Sequence, residues 1–321
     1  MVEAVALGLA ALQSVPSALW IGSFNFLDQR EVPLSVRRRI LALVAATECD
    51  VLFSESHPTT VTREAVADCI AYLRGKRFVI QLGVETTNDF VRKWGFGKGF
   101  GTVEVRRAVA DATSAGASCC FNIMVGMPLL SEAEAIHEAI VSVGEAFEMG
   151  AESVTLFPCR IKENTLLYAL HRGGYAEPTS LLALATVISA IDPSLWPRIN
   201  LAWVTPKVHP GHPAALEPPV PHRDPTAVRS ALAHFEATGD GTALIALLGD
   251  PTYQEWLQRT TSTISLPDRM LAALADISDS LLGGDWWRDY GRSVEAELRC
   301  EWTASTSARM TAGLPQIPTY R

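Results

Sequence analysis

The sequence predicts an α/β protein built on a parallel sheet, and two observations carry that prediction. Short apolar runs rich in β-branched residues suit buried strands at residues 18–22, 50–53, 78–83, 118–125 and 153–157. Helical segments lie between them, so strands recur at intervals of about 25 to 40 residues, which fits right-handed parallel crossovers. A doubly wound sheet and a barrel both satisfy this rhythm. In either, the strand C-terminal ends form the ligand face, where Ser23, Glu55, Glu85, Gly126 and Cys159 fall.

The elements follow in order. The opening apolar run, 2–12, contains Glu3 and no Lys or Arg precedes Arg30, which argues for a helix rather than a secretory signal. Ser35 can cap a helix through Ala46, Thr62 one through Leu73, and Thr102 one through Ala115 that stops at Gly116. Ser131 with Glu134 forms a capping-box pattern; Ala133, Ile136, Ile140, Val143 and Phe147 then recur at helical spacing until Gly150. After Gly174 the rhythm changes: a helix at 179–191, a strand-like 199–204, and a Pro- and His-rich stretch at 206–225 that reads as a boundary or ordered loop. Residues 225–237 and 267–282 read as helices with Pro in the first turn. Val294, Ala296, Leu298, Cys300 and Trp302 alternate with charged residues, the pattern of a half-buried strand.

Composition narrows the function. With 321 residues, 48% hydrophobic and 19% charged, the chain can bury a large core. Its net charge of -8 argues against a broad phosphate-neutralising surface, so a small metabolite is a better substrate expectation than tRNA. The six cysteines are scattered at 49, 69, 119, 120, 159 and 300, which implies free thiols in a reducing, cytoplasmic setting. No run reaches the roughly 18 to 20 apolar residues that a membrane span needs, so a soluble protein is expected.

The most informative segment is Gln81-Leu-Gly-Val-Glu-Thr-Thr-Asn-Asp89, followed by Gly97-Lys-Gly-Phe100. It puts two carboxylates and two hydroxyls at the end of an apolar strand, a costly arrangement unless a ligand or hydrogen bonds satisfy them. Glu85 and Asp89 could instead cap the helix that follows. A strand ending in Gly-x-Glu-Thr-x-x-Asp with Lys-Gly-Phe beyond resembles the fourth barrel strand of radical S-adenosylmethionine (SAM) enzymes. Gly22-Ser-Phe-Asn-Phe-Leu-Asp28 with Arg30-Glu-Val-Pro33, and Ser54-Glu-Ser56 with Val61-Thr62, resemble the second and third strand regions of the archaeosine synthase-like branch. Phe121-Asn-Ile-Met-Val-Gly-Met-Pro128 resembles its fifth, and Leu156-Phe-Pro-Cys-Arg160 with Asn164-Thr165 its sixth; together the match runs from about residue 18 to 178.

The resemblance implies a partial (β/α)6 TIM-like barrel of the radical SAM type over 1–178, with a smaller α+β C-terminal region over 179–321. It implies SAM as cofactor, with Gly22 and Ser23 by its methionine end, Glu85 by its ribose hydroxyls, and Ile123, Val125 and Phe157 by its adenine. Glu55 joins them as a cofactor-binding candidate. Such roles suit the residue types, since a carboxylate accepts two hydroxyls and glycine lets the main chain approach closely. Radical SAM chemistry also needs a CxxxCxxC loop, whose three thiolates hold a 4Fe-4S cluster. None of the six cysteines has that spacing. Either a first strand and cysteine loop belong upstream of Met1, or the chain is a cluster-free relative that binds a nucleoside-like ligand without making a radical.

Other candidates carry plainer alternatives. Cys119 and Cys120 read as core, and Cys159 as a buried thiol that could face a cavity. His209, His212 and His222 with Asp224 offer enough ligands for zinc, but a solvated Pro-rich loop explains them as well. Trp286, Trp287 and Tyr290 could stack on a ring or pack the C-terminal segment. The glycine-rich 95–101 lacks the ending of a phosphate loop.

Overall fold

The computed structural model describes residues 1–22, 25–202 and 215–310. Its elements are α1 (Val2–Ala10), β1 (Ala18–Ile21), α2 (Leu34–Ala45), β2 (Val51–Ser56), α3 (Arg63–Leu73), β3 (Arg77–Glu85), α4 (Asp89–Phe96), α5 (Thr102–Ser114), β4 (Ser118–Val125), α6 (Glu132–Glu148) and β5 (Ser153–Pro158). Then come α7 (Leu166–Arg172), α8 (Leu181–Ala190), β6 (Ile199–Leu201), α9 (Pro225–Thr238), α10 (Thr242–Leu248), α11 (Pro251–Arg259), α12 (Leu266–Leu281) and α13 (Trp286–Met310). The six strands form one parallel sheet in the order β1-β2-β3-β4-β5-β6. Strands therefore pair in chain order, the arrangement of a barrel rather than of a doubly wound sheet.

The chain divides into two compact units. The first comprises Met1–Glu85, Gly99–Asn122 and Glu145–Thr155. Within it β1 lies in parallel register with β2, Ile21 opposite Ser54, and β2 with β3, Glu55 opposite Gln81. Alternation gives the sheet two faces. Leu52, Phe78, Ile80, Leu82 and Val84 are buried, as are Leu41, Val44, Val66 and Leu73 on α2 and α3. Thr62 caps α3, its hydroxyl accepting the Ala65 N–H at 3.2 Å. Two helix starts fall earlier than the sequence predicts: Pro33 rather than Ser35 precedes α2, and Gly101 rather than Thr102 precedes α5, its N–H bonded to Glu104 at 2.8 Å. The glycine-rich run thus ends α4 at Gly97 and begins α5 at Gly101.

The second unit comprises Thr86–Lys98, Ile123–Gly144 and Leu156–Arg321. The capping box of α6 is formed as the sequence predicts: the Ser131 N–H bonds Glu134 at 2.7 Å and the Glu134 N–H bonds the Ser131 hydroxyl at 3.3 Å. Its buried stripe is rotated from the expected one, running through Ala135, Ile136, Ala139, Ser142 and Val143 and including Glu138. A core of Phe90, Val91, Met127, Leu170, Met270 and Leu298 ties α4, α7, α12 and α13 together.

One expectation is overturned. Residues 294–302 are not a strand but part of α13, and the reason lies in shared periodicity. Val294, Leu298 and Trp302 are spaced by four, so they satisfy a helix as well as a two-residue alternation. Leu298 is buried and Trp302 packs against Phe90 at 5.1 Å between ring centroids, while Ala296 and Cys300 are exposed. The Glu295–Arg299 bridge at 2.9 Å has the helical i,i+4 spacing. Upstream, Trp286 lies 5.4 Å from Tyr290 between ring centroids, and Trp287 packs against the helical core.

Five of the six cysteines are buried and Cys300 is exposed; all are free. Burial pushes the thiols of Cys69 and Cys119 up to about 12 and that of Cys120 upward. A thiol held protonated is a poor nucleophile. Iodoacetamide at pH 8 is therefore expected to label Cys300 alone in the folded protein and all six thiols after denaturation, as counted by mass spectrometry. A second expectation concerns Gly126, whose φ is +83° and whose added Cβ would lie 1.5 Å from the Thr179 hydroxyl oxygen. Gly116 has a φ of +92° with open space around it. Gly116→Ala should cost about 1 kcal/mol for backbone conformation alone. Gly126→Ala must also displace Thr179 and should cost upward of ~2 kcal/mol. Urea denaturation of the two variants measures the difference.

Candidate functional site

In the first unit, alternation puts Glu55 of β2 and Gln81, Gly83 and Glu85 of β3 on the face opposite the buried apolar one. That face is polar. The Trp20 indole N–H donates to Gln81 Oε1 at 2.6 Å, and Cys120 Sγ lies 3.3 Å from the Thr155 hydroxyl. Asn122 Nδ2 donates to Glu55 Oε1 at 3.4 Å, from β4 to β2, passing over β3. Gln81 reaches Trp20, and the next residue of β3 on its face is Gly83, which has no side chain. Asn122 is 5% exposed, and its Oδ1 has no hydrogen-bond partner among the described residues. An orphaned buried acceptor of this kind is costly unless something else satisfies it.

The expected binding residues fall as follows. Gly22 follows β1 and is exposed; Ser23 lies outside the described residues. Glu85 is the last residue of β3, half-buried, with a φ of +63°. A left-handed conformation in a residue other than glycine costs about 1–2 kcal/mol and persists where its surroundings impose it. Neither Glu85 nor Asp89 caps α4. Asn88 does, its Oδ1 accepting the Phe90 and Val91 N–H groups at 3.1 and 3.3 Å, while Asp89 pairs with Arg92.

In the second unit, Ile123 and Val125 have fully buried side chains, so only their backbone can meet a ligand. The Val125 carbonyl already accepts the Cys159 N–H at 2.7 Å and the Thr179 hydroxyl at 3.3 Å. Phe157 is half-buried. Just past the ends of β4 and β5 lies a cavity of about 360 Å³ lined by Gly126, Glu132, Cys159, Tyr175, Thr179 and Trp256, among others. Glu132 accepts the Ser180 N–H at 2.8 Å and the Trp256 indole N–H at 3.2 Å, and burial raises its carboxyl pKa. Cys159 thus lines a cavity while remaining 9% exposed.

His209 and His212 lie outside the described residues, and His222 turns its Nδ1 to accept the Asp224 N–H at 3.0 Å. Among the described residues no group of three or more His, Cys, Asp or Glu could hold a metal ion. Asn122, Glu132 and Thr179 escaped the sequence reading. Asn122 alone left a signal, a polar side chain inside an apolar strand.

No protein-family model matches the chain. Archaeosine synthase subunit beta of Methanosarcina acetivorans is 28% identical over 197 residues, 61% of this chain and 53% of that protein. The same subunit of Thermococcus kodakarensis is 28% identical over 177 residues, 55% of this chain and 52% of that protein. The chain thus spans about half the length of the curated relatives it matches. Among solved structures, Elp3 of Methanocaldococcus infernus with residues 1–46 deleted superposes with a TM-score of 0.53 at 16% identity, covering 74% of this chain and 58% of that one. Its likeness is one of fold. The chain is thus similar over more than half of its length to archaeosine synthase subunit beta and shares an α/β barrel-type fold with Elp3.

Proposed function

We propose that the chain binds S-adenosylmethionine, or a closely similar nucleoside ligand, at the C-terminal ends of its strands. Glu85 accepts the ribose hydroxyls, with Gly22 by the methionine end and Glu55 as a further contact from the same unit. The observation that carries this reading is Glu85 itself: a half-buried carboxylate at a strand end, held at a φ of +63° and spared from helix capping by Asn88. Glycines at 22 and 83 support close approach of a ligand to the main chain. That two relatives are archaeosine synthase subunits supports an enzymatic role in modifying a nucleoside or small metabolite. The net charge of -8 favours the small substrate over tRNA, and the five buried free thiols favour a reducing, cytoplasmic setting. Among the described residues no helix is long and apolar enough to cross a membrane.

The cysteines present do not fit a 4Fe-4S cluster. Cys119 and Cys120 lie in β4, Cys69 in α3 and Cys300 in α13, and burial keeps the thiols of Cys69 and Cys119 protonated where a cluster needs thiolates. The cluster-free alternative, a barrel that binds a nucleoside without radical chemistry, needs only the ligand contacts named above.

Calorimetric titration with SAM, paired with thermal melting, tests the reading. Glu85→Gln should weaken binding by about 1 to 3 kcal/mol, because two hydroxyls lose a charged acceptor, while the melting temperature changes little. Unchanged affinity would defeat the assignment of Glu85. Absence of binding by the unsubstituted protein would defeat the assignment of SAM.

A further inference from the structure

A strand end that leaves its last residue at positive φ needs something to hold the turn. The three residues after Glu85 are held on nearly every polar atom. Thr86, Thr87 and Asn88 are 0%, 5% and 7% exposed. The Thr86 carbonyl accepts the Arg92 Nε–H at 3.0 Å and a second Arg92 N–H, from a guanidinium that is itself fully buried. The Thr86 hydroxyl donates to Glu138 Oε1 at 2.9 Å and accepts the Asn88 N–H at 3.0 Å. Asn88 Nδ2 donates to Glu138 Oε2 at 3.1 Å, and the Thr87 N–H donates to the Ser142 hydroxyl at 3.0 Å.

Glu138 is the hub. It is 6% exposed in the middle of α6, with Ser142 one turn on, in a stripe where the helix otherwise carries apolar residues. A carboxylate there costs desolvation that alanine or leucine would not. Both of its oxygens grip the turn that follows Glu85, one through Thr86 and the other through Asn88. Asn88 in turn caps α4, so the same acid also fixes where the next helix starts.

We propose that Glu138 is a positioning residue for the ligand site: through Thr86 and Asn88 it sets the turn that holds Glu85 at positive φ and so orients the Glu85 carboxylate. The proposal rests on the reading of Glu85 as a ligand contact. Its structural half can be checked without ligand.

The test combines Glu138→Gln, Glu85→Gln and the double variant in the full chain. Glu138→Gln is expected to weaken SAM binding about tenfold, since a small displacement of a contact group is enough to lose that much. In the Glu85→Gln background it should weaken binding no further, because its effect passes through Glu85. A merely structural role predicts no loss once the protein is folded, or equal losses in both backgrounds, and either result would overturn the proposal. Independently, Glu85 should show the strong intraresidue amide–Hα nuclear Overhauser effect of a positive φ, and Glu138→Gln should abolish it. Persistence of that signal overturns the proposal whatever the titration gives. Loss of the signal in a protein that binds no SAM upholds the positioning role and removes only the ligand reading. Where Glu138→Gln fails to fold, Ser142→Ala keeps the carboxylate, releases the Thr87 N–H and carries the same readouts. Glu138→Asp, which retains the charge, should recover part of the affinity.

Discussion

A strand that pairs in parallel with its predecessor must be brought back by a crossover before it can begin, and everything else in this molecule depends on that constraint. Because the six strands pair in chain order, each return puts the next strand's C-terminal end at the same edge of the sheet. Residues far apart in sequence, Gly22, Glu55 and Glu85 among them, come to equivalent strand ends for this reason alone. The pleat then divides the sheet into two faces, one of which carries Glu55, Gln81 and Glu85 toward the strand ends.

That division explains what was legible from the sequence. Strands β1 to β5 announce themselves as apolar runs because at least one of their faces must be buried, and α3 and α6 because Thr62, Ser131 and Glu134 satisfy backbone groups by local chemistry. Local chemistry is visible in sequence. Residues 294–302 were misleading because Val294, Leu298 and Trp302 satisfy both periods at once, and only packing against Phe90 chooses the helix. The buried stripe of α6 was also displaced in the reading, since Glu138 and Ser142 look like solvent-facing residues until the turn after β3 is laid against them.

The proposed site is legible in its carboxylates and illegible in its supports. Glu85 stands out at the end of an apolar strand, whereas its conformation depends on partners more than 50 residues away. The same holds for Thr179, whose hydroxyl reaches the Val125 carbonyl and whose bulk leaves only a glycine room at 126. Such pairings join positions that no motif spacing connects. Chemical groups are local in sequence; the restraints that aim them are not.

The contact between Asn122 and Glu55 across β3 has an evolutionary consequence. Two side chains on strands β2 and β4 meet across β3, whose residue after Gln81 on that face is Gly83, without a side chain. A side chain at 83 would rise from the same face of β3 that Glu55 and Asn122 span, so positions 55, 83 and 122 are expected to vary together among descendants.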